Sequence, residues 1–520
     1  MRTPLAKRLA LLLKKANYLN EHPEISLNQF CDALESRREF LKKSALVLGG
    51  SIFSSCQSLS LPEKLSLKNE DSRVLILGAG MAGLTSAYYL TKANIKCEIY
   101  ESSLRSGGRV FTKDNFNQEH MYCELGGELI DSNNQDILNL CKDFSIEVEA
   151  FAEFDKGYEP NLYFIKNKLY TDRDLLPAFQ KFAKHLIKSK KQELKKIDQI
   201  SLAEYLFKLK DVEPWLLEVL RVAYVGESGV EAEAQSALMM VGTIYSDFSK
   251  ATRFFGDSDE ALKIKGGNSR LTSALENYLI SNGVKIHFGT PLVGIKEQTQ
   301  KLELLFAKDH SKFSVLTEKV VCTIPFTKLR EVEGIFELSL HPTKKASIKN
   351  LLYGTNSKMM LGFDKPIWRN SPTPHSNGMV YTDLMDQNLW ETSRLQKGNK
   401  AILTSFTGGK AGEKLSVDQI PKYLESIDKI FPGALKIFDS NSAVFNWARY
   451  PHSKASYSAF APGQMTQFGD ISSRPELSNR LLFAGEHATS EFAGFINGAA
   501  LSGRLAAEKI KAQNNLVQSF

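Results

Sequence analysis

The sequence contains few cysteines, and they form no pattern that would bind a metal ion. None of the six stands in a C-x-x-C pair or in a Cys/His grouping with the spacing of zinc ligands. We therefore expect no metal site. The cysteines beyond the first 60 residues fall in stretches that have the pattern of strands or helices, which predicts free, buried thiols at Cys97, Cys123, Cys141 and Cys322.

Long hydrophobic runs are also missing. A membrane-spanning helix needs ~20 apolar residues, and the run from Ser44 to Ser55 is shorter. That length suits the core of a signal peptide instead. Arg37 and Arg38 stand just before it, in the order Ser-Arg-Arg-x-Phe-Leu-Lys, and this order resembles the twin-arginine export signal. The alternative is a basic turn before a short core helix.

The resemblance implies that residues 1–56 are a twin-arginine signal segment, and that the export machinery carries the folded protein to the periplasm. How the segment ends stays open, because no A-x-A-like cleavage site follows the apolar run. The letters FSSC resemble a lipobox, which would make Cys56 a lipidated first residue and a membrane anchor, although Phe53 is uncommon in that pattern. Simple cleavage or an uncleaved anchor is the other interpretation.

The rest of the chain lacks a strong charge of either sign. The net formal charge is +7, but residues 1–43 hold nine Lys/Arg against five Asp/Glu, which leaves about +3 for the remainder. The lysine-rich stretch 184–196 keeps apolar spacing, which predicts a solvated helix face. We therefore expect no nucleic-acid partner. With 520 residues and no internal repeat, the chain is expected to form two intertwined domains.

A nucleotide-binding pattern begins at residue 73, in the stretch RVLILGAGMAGLTSAYYL. A buried-strand pattern, Val74 to Leu77, runs into three glycines and then into an amphipathic helix. Gly78 permits the tight turn, Gly80 lets the backbone approach a pyrophosphate, and Gly83 lets the helix pack closely on the strand. The phosphates would then lie at the helix N-terminus.

The residues that follow support a dinucleotide site. A second strand, Lys96 to Tyr100, ends at Glu101, which lies 18 residues after the last glycine, where an acid can bind a ribose hydroxyl. Next comes RSGGRV, with Gly108 and Arg109, which resembles the second motif of FAD-binding amine oxidases, where the arginine lies near the pyrophosphate. A glycine turn with a surface arginine is the alternative.

A matching pattern stands near the other end of the chain. The stretch LLFAGEHATSEFAGFINGAALSGRLAAEKI predicts a buried strand, then Gly485 and Glu486, then a loop and a helix from about Gly494. It resembles the C-terminal FAD motif of the flavin monoamine oxidase family. The resemblance implies that Glu486 holds the ribityl or phosphate region and that the helix N-terminus faces the flavin pyrimidine.

The resemblance extends from about Arg73 to Ile510, and it includes the stretches FGDSDEALKIKGGNSRLTSAL and KVVCTIPFTKL. It implies a mixed α/β (α+β) fold with a discontinuous Rossmann-type FAD-binding domain, an interleaved substrate-binding domain and a helical insertion. The FAD-binding domain would consist of residues 70–130, 262–330 and 440–515. The substrate-binding domain would consist of residues 131–261 and 331–439.

The same family resemblance supplies candidate catalytic residues. Lys358, in NSKMMLGFDKPIW, matches the lysine that holds a water near flavin N5 and assists reoxidation; an exposed strand edge is the alternative. Tyr457 and Phe495 match two aromatic residues that face each other before the flavin, and Trp447 matches a tryptophan stacked near it. The family commonly has tyrosine at both facing positions, so Phe495 is a departure, and plain core aromatics are the alternative.

Ser456 bears on how the cofactor is attached. Some family members attach FAD through a cysteine at this position, and this chain has serine there. The resemblance therefore implies non-covalent FAD. A cofactor buried across several chain segments has to be inserted during folding in the cytoplasm, and a pathway that exports folded proteins preserves it.

The resemblance implies an oxidase that converts the C–N bond of an L-amino acid or a primary amine to an imine, while dioxygen is reduced to hydrogen peroxide. Water hydrolyses the imine to a keto acid or an aldehyde plus ammonia. Glu128 and Leu129 stand where the best-known L-amino-acid oxidases have an arginine for the substrate carboxylate. Glu128 could favour a second amino group, as in a diamine, or could hydrogen-bond inside the protein.

Other functions stay open at this point. They include a polyamine or diamine oxidase, another C–H or N–H oxidation such as that of a dehydrogenase, and a flavoprotein that acts as a binding module without oxidase activity. The presence of Lys358 argues against the last of these. The oligomeric state is open as well, with a homodimer as one option.

The twin-arginine interpretation gives a first prediction. Replacing Arg37 and Arg38 by lysine keeps both positive charges but removes the guanidinium pair. We expect this double variant to leave folded, FAD-loaded protein in the cytoplasm, as measured by cell fractionation and immunoblotting. The matched control, Lys42→Arg with Lys43→Arg, should be exported. Export of the double variant at the unaltered level would contradict this route.

Overall fold

The computed structural model describes residues 73–190, 194–244, 258–370, 375–469 and 471–518. Arg37, Arg38 and Cys56 lie outside the described residues. Within the described part of the chain, no helix is both long enough and apolar enough to cross a membrane. The four cysteines in these ranges are free and buried, as the sequence predicts.

A five-stranded parallel sheet forms the first half of the fold. Its central strand is Val74–Leu77, whose residues are all buried. Burial on both faces is typical of a parallel sheet that is covered by helices. Across the sheet, the strands follow the order Leu481–Phe483, Lys319–Cys322, Val74–Leu77, Cys97–Tyr100 and Lys285–His287. The helices that share its hydrophobic core include Met81–Lys92, Ser269–Ser281 and Ile496–Gln518.

The first helix lies unusually close to the central strand because position 83 is glycine. A Cβ atom there would lie 1.9 Å from the backbone oxygen of Gly78. Gly78 itself has φ +108°, which an L side chain rarely adopts. These two glycines fix the strand, turn and helix as one unit, and they place the N-terminus of the helix at the carboxyl end of the sheet.

A seven-stranded, mostly antiparallel sheet forms the second half. Its strand Ser357–Phe363 is buried along its whole length. The predicted domain boundary at residue 440 falls inside one of its strands. Across the sheet, the strands follow the order Phe438–Asn446, Ser357–Phe363, Ala401–Thr407, Asn388–Glu391, Val380–Thr382, Leu162–Ile165 and Lys168–Thr171. The parallel pair is Val380–Thr382 with Leu162–Ile165.

Helices between residues 172 and 244 pack on this sheet, in the region predicted to be a helical insertion. They share one hydrophobic core with buried sheet residues such as Tyr381 and Phe406. The longest buried helix of the group starts at Pro214 and ends before Gly229, which has left-handed backbone geometry. The helices are Asp172–Lys190, Leu194–Asp198, Leu202–Phe207, Pro214–Ser228 and Ala237–Ile244.

The remaining elements connect the two sheets. An antiparallel sheet consists of Leu292–Glu297, Leu302–Lys308 and Ser311–Thr317, and two strand pairs are Thr112–Lys113 with Cys123–Glu124 and Val148–Ala150 with Leu262–Ile264. The other α-helices are Gln135–Asp143, Phe326–Leu329, Pro342–Asn350, Gly409–Lys414, Ile420–Ile430 and Gln464–Phe468. Short 3-10 turns are Ile367–Arg369, Val417–Gln419, Leu435–Ile437, Trp447–Arg449 and Glu486–Ala488. The architecture confirms the predicted mixed α/β class.

The close contact at Gly83 gives a stability prediction. Gly83→Ala should lower the free energy of unfolding by about 2 kcal/mol or more, because the added methyl group meets backbone atoms that cannot move aside. Chemical denaturation without added cofactor measures the change. Gly80→Ala is the matched control, because a Cβ there has its nearest neighbour at 3.9 Å. Equal stability of the two variants would contradict the packing argument.

Candidate active site

One cavity brings together residues from several distant parts of the chain. It lies where the carboxyl ends of the parallel strands meet the seven-stranded sheet, and it receives nearly all of the residues singled out in the sequence. Gly83 is the exception, because it packs the helix on the strand. The predicted residues that line the cavity are Gly78, Gly80, Glu101, Gly108, Arg109, Lys358, Trp447, Tyr457, Gly485, Glu486, Gly494 and Phe495.

One end of the cavity is a cradle of backbone groups around the first glycines. Gly80 precedes the first helical residue, and a Cβ there would point toward Gly108. The carboxylate of Glu101 is buried and accepts hydrogen bonds from the backbone nitrogens of Ala79 and Ser103, both at 2.7 Å. Glu101 therefore holds the turn in shape while it lines the cavity.

An ion pair between the partly exposed Arg109 and the buried Glu486 joins three chain segments in the cavity wall. Arg109 Nη1 donates to Glu486 Oε1 and to the backbone oxygen of Ser456, both at 2.7 Å. The other oxygen of Glu486 accepts from Ser458 Oγ at 2.7 Å and from the backbone nitrogen of Gly494 at 3.1 Å. Burial alone would raise the pKa of Glu486, but the Arg109 guanidinium outweighs it and holds that pKa below its usual range.

A second buried ion pair involves Lys358, whose side chain is 1% exposed. Its Nζ donates to Glu128 Oε2 at 2.7 Å and to the backbone oxygen of Glu124 at 3.1 Å. The other oxygen of Glu128 accepts from Thr392 Oγ1 at 2.7 Å. Burial would raise the pKa of Glu128, but the Lys358 ammonium lowers it below its usual range. The contact rules out an exposed strand edge for Lys358, and it shows Glu128 bonded inside the protein.

Three aromatic residues complete the wall of the cavity. The hydroxyl of Tyr457 donates to the backbone oxygen of Glu227. Phe495 is buried just before the helix that starts at Ile496. Trp447 donates from Nε1 to the backbone oxygen of Leu125 at 2.8 Å. The rings of Tyr457 and Trp447 are thus fixed by hydrogen bonds to backbone oxygens, and the ring of Phe495 contacts that of Phe492.

Two residues that line or support the cavity were not singled out in the sequence. Ser458 contacts Glu486 through both its hydroxyl and its backbone nitrogen. Glu260 lines the cavity and is buried. Both lie in stretches that carried the family resemblance, ASYSAF and FGDSDE. The identity of a polar residue within such a stretch does not show whether its side chain faces a cavity.

The cradle fits a flavin dinucleotide. A Cβ at Gly80 would meet no protein atom closer than the Cα of Gly108 at 3.9 Å, and Gly80, Met81 and Ala82 at the start of the helix line the cavity. None of the cysteines in the described ranges lines the cavity, and Ser456 hydrogen-bonds to Asn356, so no thiol lies where a covalent link would form. The described residues also contain no His/Cys/Asp/Glu group that could hold a metal ion.

Comparison with known proteins agrees with this geometry. The family model for flavin-containing amine oxidoreductases matches residues 81–511. An L-amino-acid oxidase from Sistrurus catenatus edwardsii is 24% identical over 86% of this chain and 88% of its own length. L-amino acid oxidase Bs29 from Bothriechis schlegelii is also 24% identical, over 86% of this chain and 91% of its own length.

Solved structures share the fold. Cyclohexylamine oxidase from Brevibacterium oxydans superposes with a TM-score of 0.72 at 17% identity, over 86% of this chain and 100% of its own. Wild-type putrescine oxidase bound to putrescine superposes with a TM-score of 0.69 at 16% identity, over 85% of this chain and 99% of its own. At these identities the likeness shows the architecture alone.

The cradle gives a cofactor prediction. Gly80→Val should abolish FAD loading, because the branched side chain would fill the space that a pyrophosphate needs, while the fold itself has room for it. The flavin absorbance of purified protein measures loading, and circular dichroism checks the fold. A folded variant that still carries a full complement of FAD would place the pyrophosphate elsewhere.

Proposed function

Because the chain belongs to the flavin-containing amine oxidoreductase family, we propose that it is an FAD-dependent oxidase of a primary amine. The amine's C–N bond would be oxidised to an imine, with dioxygen reduced to hydrogen peroxide, and water would hydrolyse the imine to a carbonyl compound and ammonia. The observation that carries the proposal is the Lys358–Glu128 ion pair, buried in the same cavity as the dinucleotide cradle.

FAD, when bound, would supply the two-electron redox chemistry between the amine and dioxygen. The residues would hold it along the cavity: the glycine turn and Glu101 at the adenosine and pyrophosphate end, and Arg109 with Glu486 further along. Arg109 is already neutralised by Glu486, so it would orient the cofactor through its remaining N–H groups.

The aromatic side chains would guide the substrate. Tyr457 and Phe495 present apolar ring surface to the cavity, and such walls exclude water and keep an amine in a reactive orientation. The hydroxyl of Tyr457 is bonded to a backbone oxygen, which fixes the ring. Phe495 has no hydroxyl, so that side of the wall is fully apolar.

Lys358 would hold a proton and a water. An ammonium group has three donors, and within the described residues two of them contact Glu128 and the backbone of Glu124. The third is left for a water or a reacting oxygen species in the cavity. Glu128 keeps the ammonium charged and fixes its direction, so Glu128 would be a positioning residue.

The charges on the cavity wall favour an amine without a carboxylate. Of the described residues, the lysines and arginines that line the cavity each contact a carboxylate of the protein already: Arg109 with Glu486, Lys328 with Glu331, and Lys358 with Glu128. No such cation is left for a substrate carboxylate. An L-amino acid is the second candidate, because curated relatives carry the name L-amino-acid oxidase.

Hydrogen peroxide release tests the proposal. Purified, FAD-loaded protein is assayed against monoamines, diamines and L-amino acids with a peroxidase-coupled dye. Peroxide from at least one amine with a stoichiometric aldehyde supports an amine oxidase, and peroxide with a keto acid supports the second candidate. No peroxide and no flavin bleaching with any of these compounds would refute an oxidase.

The role of Lys358 gives a mechanistic prediction. Lys358→Met should mainly slow reoxidation of reduced flavin by dioxygen, because a nearby positive, proton-holding group stabilises the developing oxygen anion, and a loss of ~10²-fold is expected. Anaerobic reduction by substrate should change less, because it depends on the aromatic wall. Stopped-flow absorbance measures the two half-reactions separately.

Lys344→Met is the matched control. Lys344 is also fully buried, but it donates to the backbone oxygens of Ser472 and Arg474 and does not line the cavity. The control should leave reoxidation unchanged. If both variants slow reoxidation equally, or if Lys358→Met slows both half-reactions alike, Lys358 supports the fold and not the oxygen reaction.

A further inference from the structure

Glu260 is a buried carboxyl group that the mechanism above does not use. It lines the cavity, and the residue is 8% exposed. Within the described part of the chain, its carboxylate accepts no hydrogen bond and forms no ion pair. A carboxyl group that is 8% exposed in a cavity wall has lost most of its hydration, so its position there indicates a ligand of complementary charge.

The backbone at Glu260 is held in an unfavourable conformation. Its φ is +42°, in the left-handed region that residues other than glycine, asparagine and aspartate seldom adopt. One oxygen of Asp131 accepts three hydrogen bonds at 2.7 Å, from Ser258 Oγ and from the backbone nitrogens of Asp259 and Glu260. Strained conformations of this kind persist where the surroundings over-determine them, and they cluster at functional sites.

A reciprocal contact strengthens this turn. The carboxylate of Asp259 accepts from the backbone nitrogen of Ser132 at 2.8 Å and from its hydroxyl at 2.6 Å. The stretches GGELIDS and SDE, which come from different parts of the sequence, are therefore clamped together by two aspartates. The clamp fixes the backbone of Glu260 at a position where the residue lines the cavity.

The surroundings of Glu260 place it at the substrate end of the cavity. The carboxyl of Glu227 acts on it electrostatically, and the backbone oxygen of Glu227 accepts the hydroxyl of Tyr457. Burial first, and then the Asp131 carboxylate, raise the pKa of Glu260 well above its usual range. The Arg394 guanidinium lowers the pKa of Glu260, but Nη1 of Arg394 forms an ion pair with Asp155 Oδ2 at 2.8 Å. Among the described residues, the charged groups that act on Glu260 are thus the carboxyls of Asp131 and Glu227 and the guanidinium of Arg394.

We propose that Glu260 binds a second cationic group of the substrate, so that the substrate carries two such groups. This inference rests on the proposed function, and it names the substrate class for the same site. One amino group would be oxidised in front of the aromatic wall, and the other would pair with Glu260. Diamines and basic L-amino acids share this chemistry. Glu128 cannot serve instead, because it is already paired with Lys358.

Matched substrates and variants test the proposal. For the unaltered holoenzyme, kcat/KM for 1,4-diaminobutane should exceed that for 1-aminopentane, in which a methyl group stands in place of the second ammonium. Glu260→Gln should lower kcat/KM for the diamine by at least ~30-fold and leave 1-aminopentane nearly unchanged, because only the dication loses a buried charge partner. Glu260→Asp should restore part of the loss.

A second pair of substrates shows whether the molecule with two cationic groups is a diamine or a basic L-amino acid. If L-lysine is the better substrate, its ratio to L-norleucine should show the same dependence on Glu260. Glu153→Gln is the control for loss of a negative charge, because its side chain is 86% exposed. FAD content and thermal unfolding check that each variant folds. The proposal fails if monocations are preferred by the unaltered enzyme, or if Glu260→Gln leaves the diamine and lysine ratios unchanged.

A binding measurement separates this inference from the proposed function. Holoenzyme whose flavin has been reduced with dithionite cannot oxidise an amine, so anaerobic calorimetry reports 1,4-diaminobutane and L-lysine binding alone. If 1,4-diaminobutane or L-lysine binds, and Glu260→Gln weakens that binding at least ~30-fold, the result supports the site even if no peroxide is ever released. Peroxide release from amines would support the proposed oxidase. If neither compound binds, or if Glu260→Gln does not change the binding, the proposed role of Glu260 would be wrong even though the oxidase is supported.

Discussion

The Arg109–Glu486 ion pair is the interaction on which the cavity depends. Removing two charges from water costs several kcal/mol for each, so a buried pair is stable only when its other hydrogen-bonding positions are filled. Glu486 meets this condition through Ser458 and the backbone nitrogen of Gly494, and Arg109 through the backbone of Ser456. Arg109, the segment with Ser456 and Ser458, and the segment with Glu486 and Gly494 are three separate stretches of chain. The pair therefore aligns the three stretches that surround the cofactor cradle.

The predictable part of this molecule is local in sequence. The strand Val74–Leu77, the glycine turn and the helix Met81–Lys92 follow from side-chain sizes and spacing alone, because a turn of this shape admits only glycine. The strand Cys97–Tyr100 and Glu101 follow at a fixed distance from it. The sequence also predicted the mixed α/β class, because the resemblance covered both ends of the cofactor domain. For the same reason it predicted the cofactor.

The part that was not predictable depends on pairs of distant residues. Glu128 and Lys358 are 230 positions apart, so the sequence left open whether Glu128 met a substrate or a protein group. Glu260 is set by an unusual backbone angle that the carboxylate of Asp131 enforces. Neither the amino-acid composition nor the hydrophobic periodicity of a sequence encodes such a backbone angle. The amine oxidoreductase family was thus readable from the motifs, whereas the contacts of Glu128 and Glu260 needed the three-dimensional structure.

The order of strands in the parallel sheet has a consequence for the newly made chain. The central strand Val74–Leu77 is synthesised early, but the edge strand Leu481–Phe483 and the adjoining Glu486 emerge about 400 residues later. At ~5–20 residues per second, that interval lasts ~20–80 s. During this time the ribosome carries an Arg109 whose partner Glu486 has not yet been made, and a sheet with an unpaired edge. Cofactor capture is therefore completed only after translation has nearly ended, and a chain that terminates before residue 481 lacks that final strand.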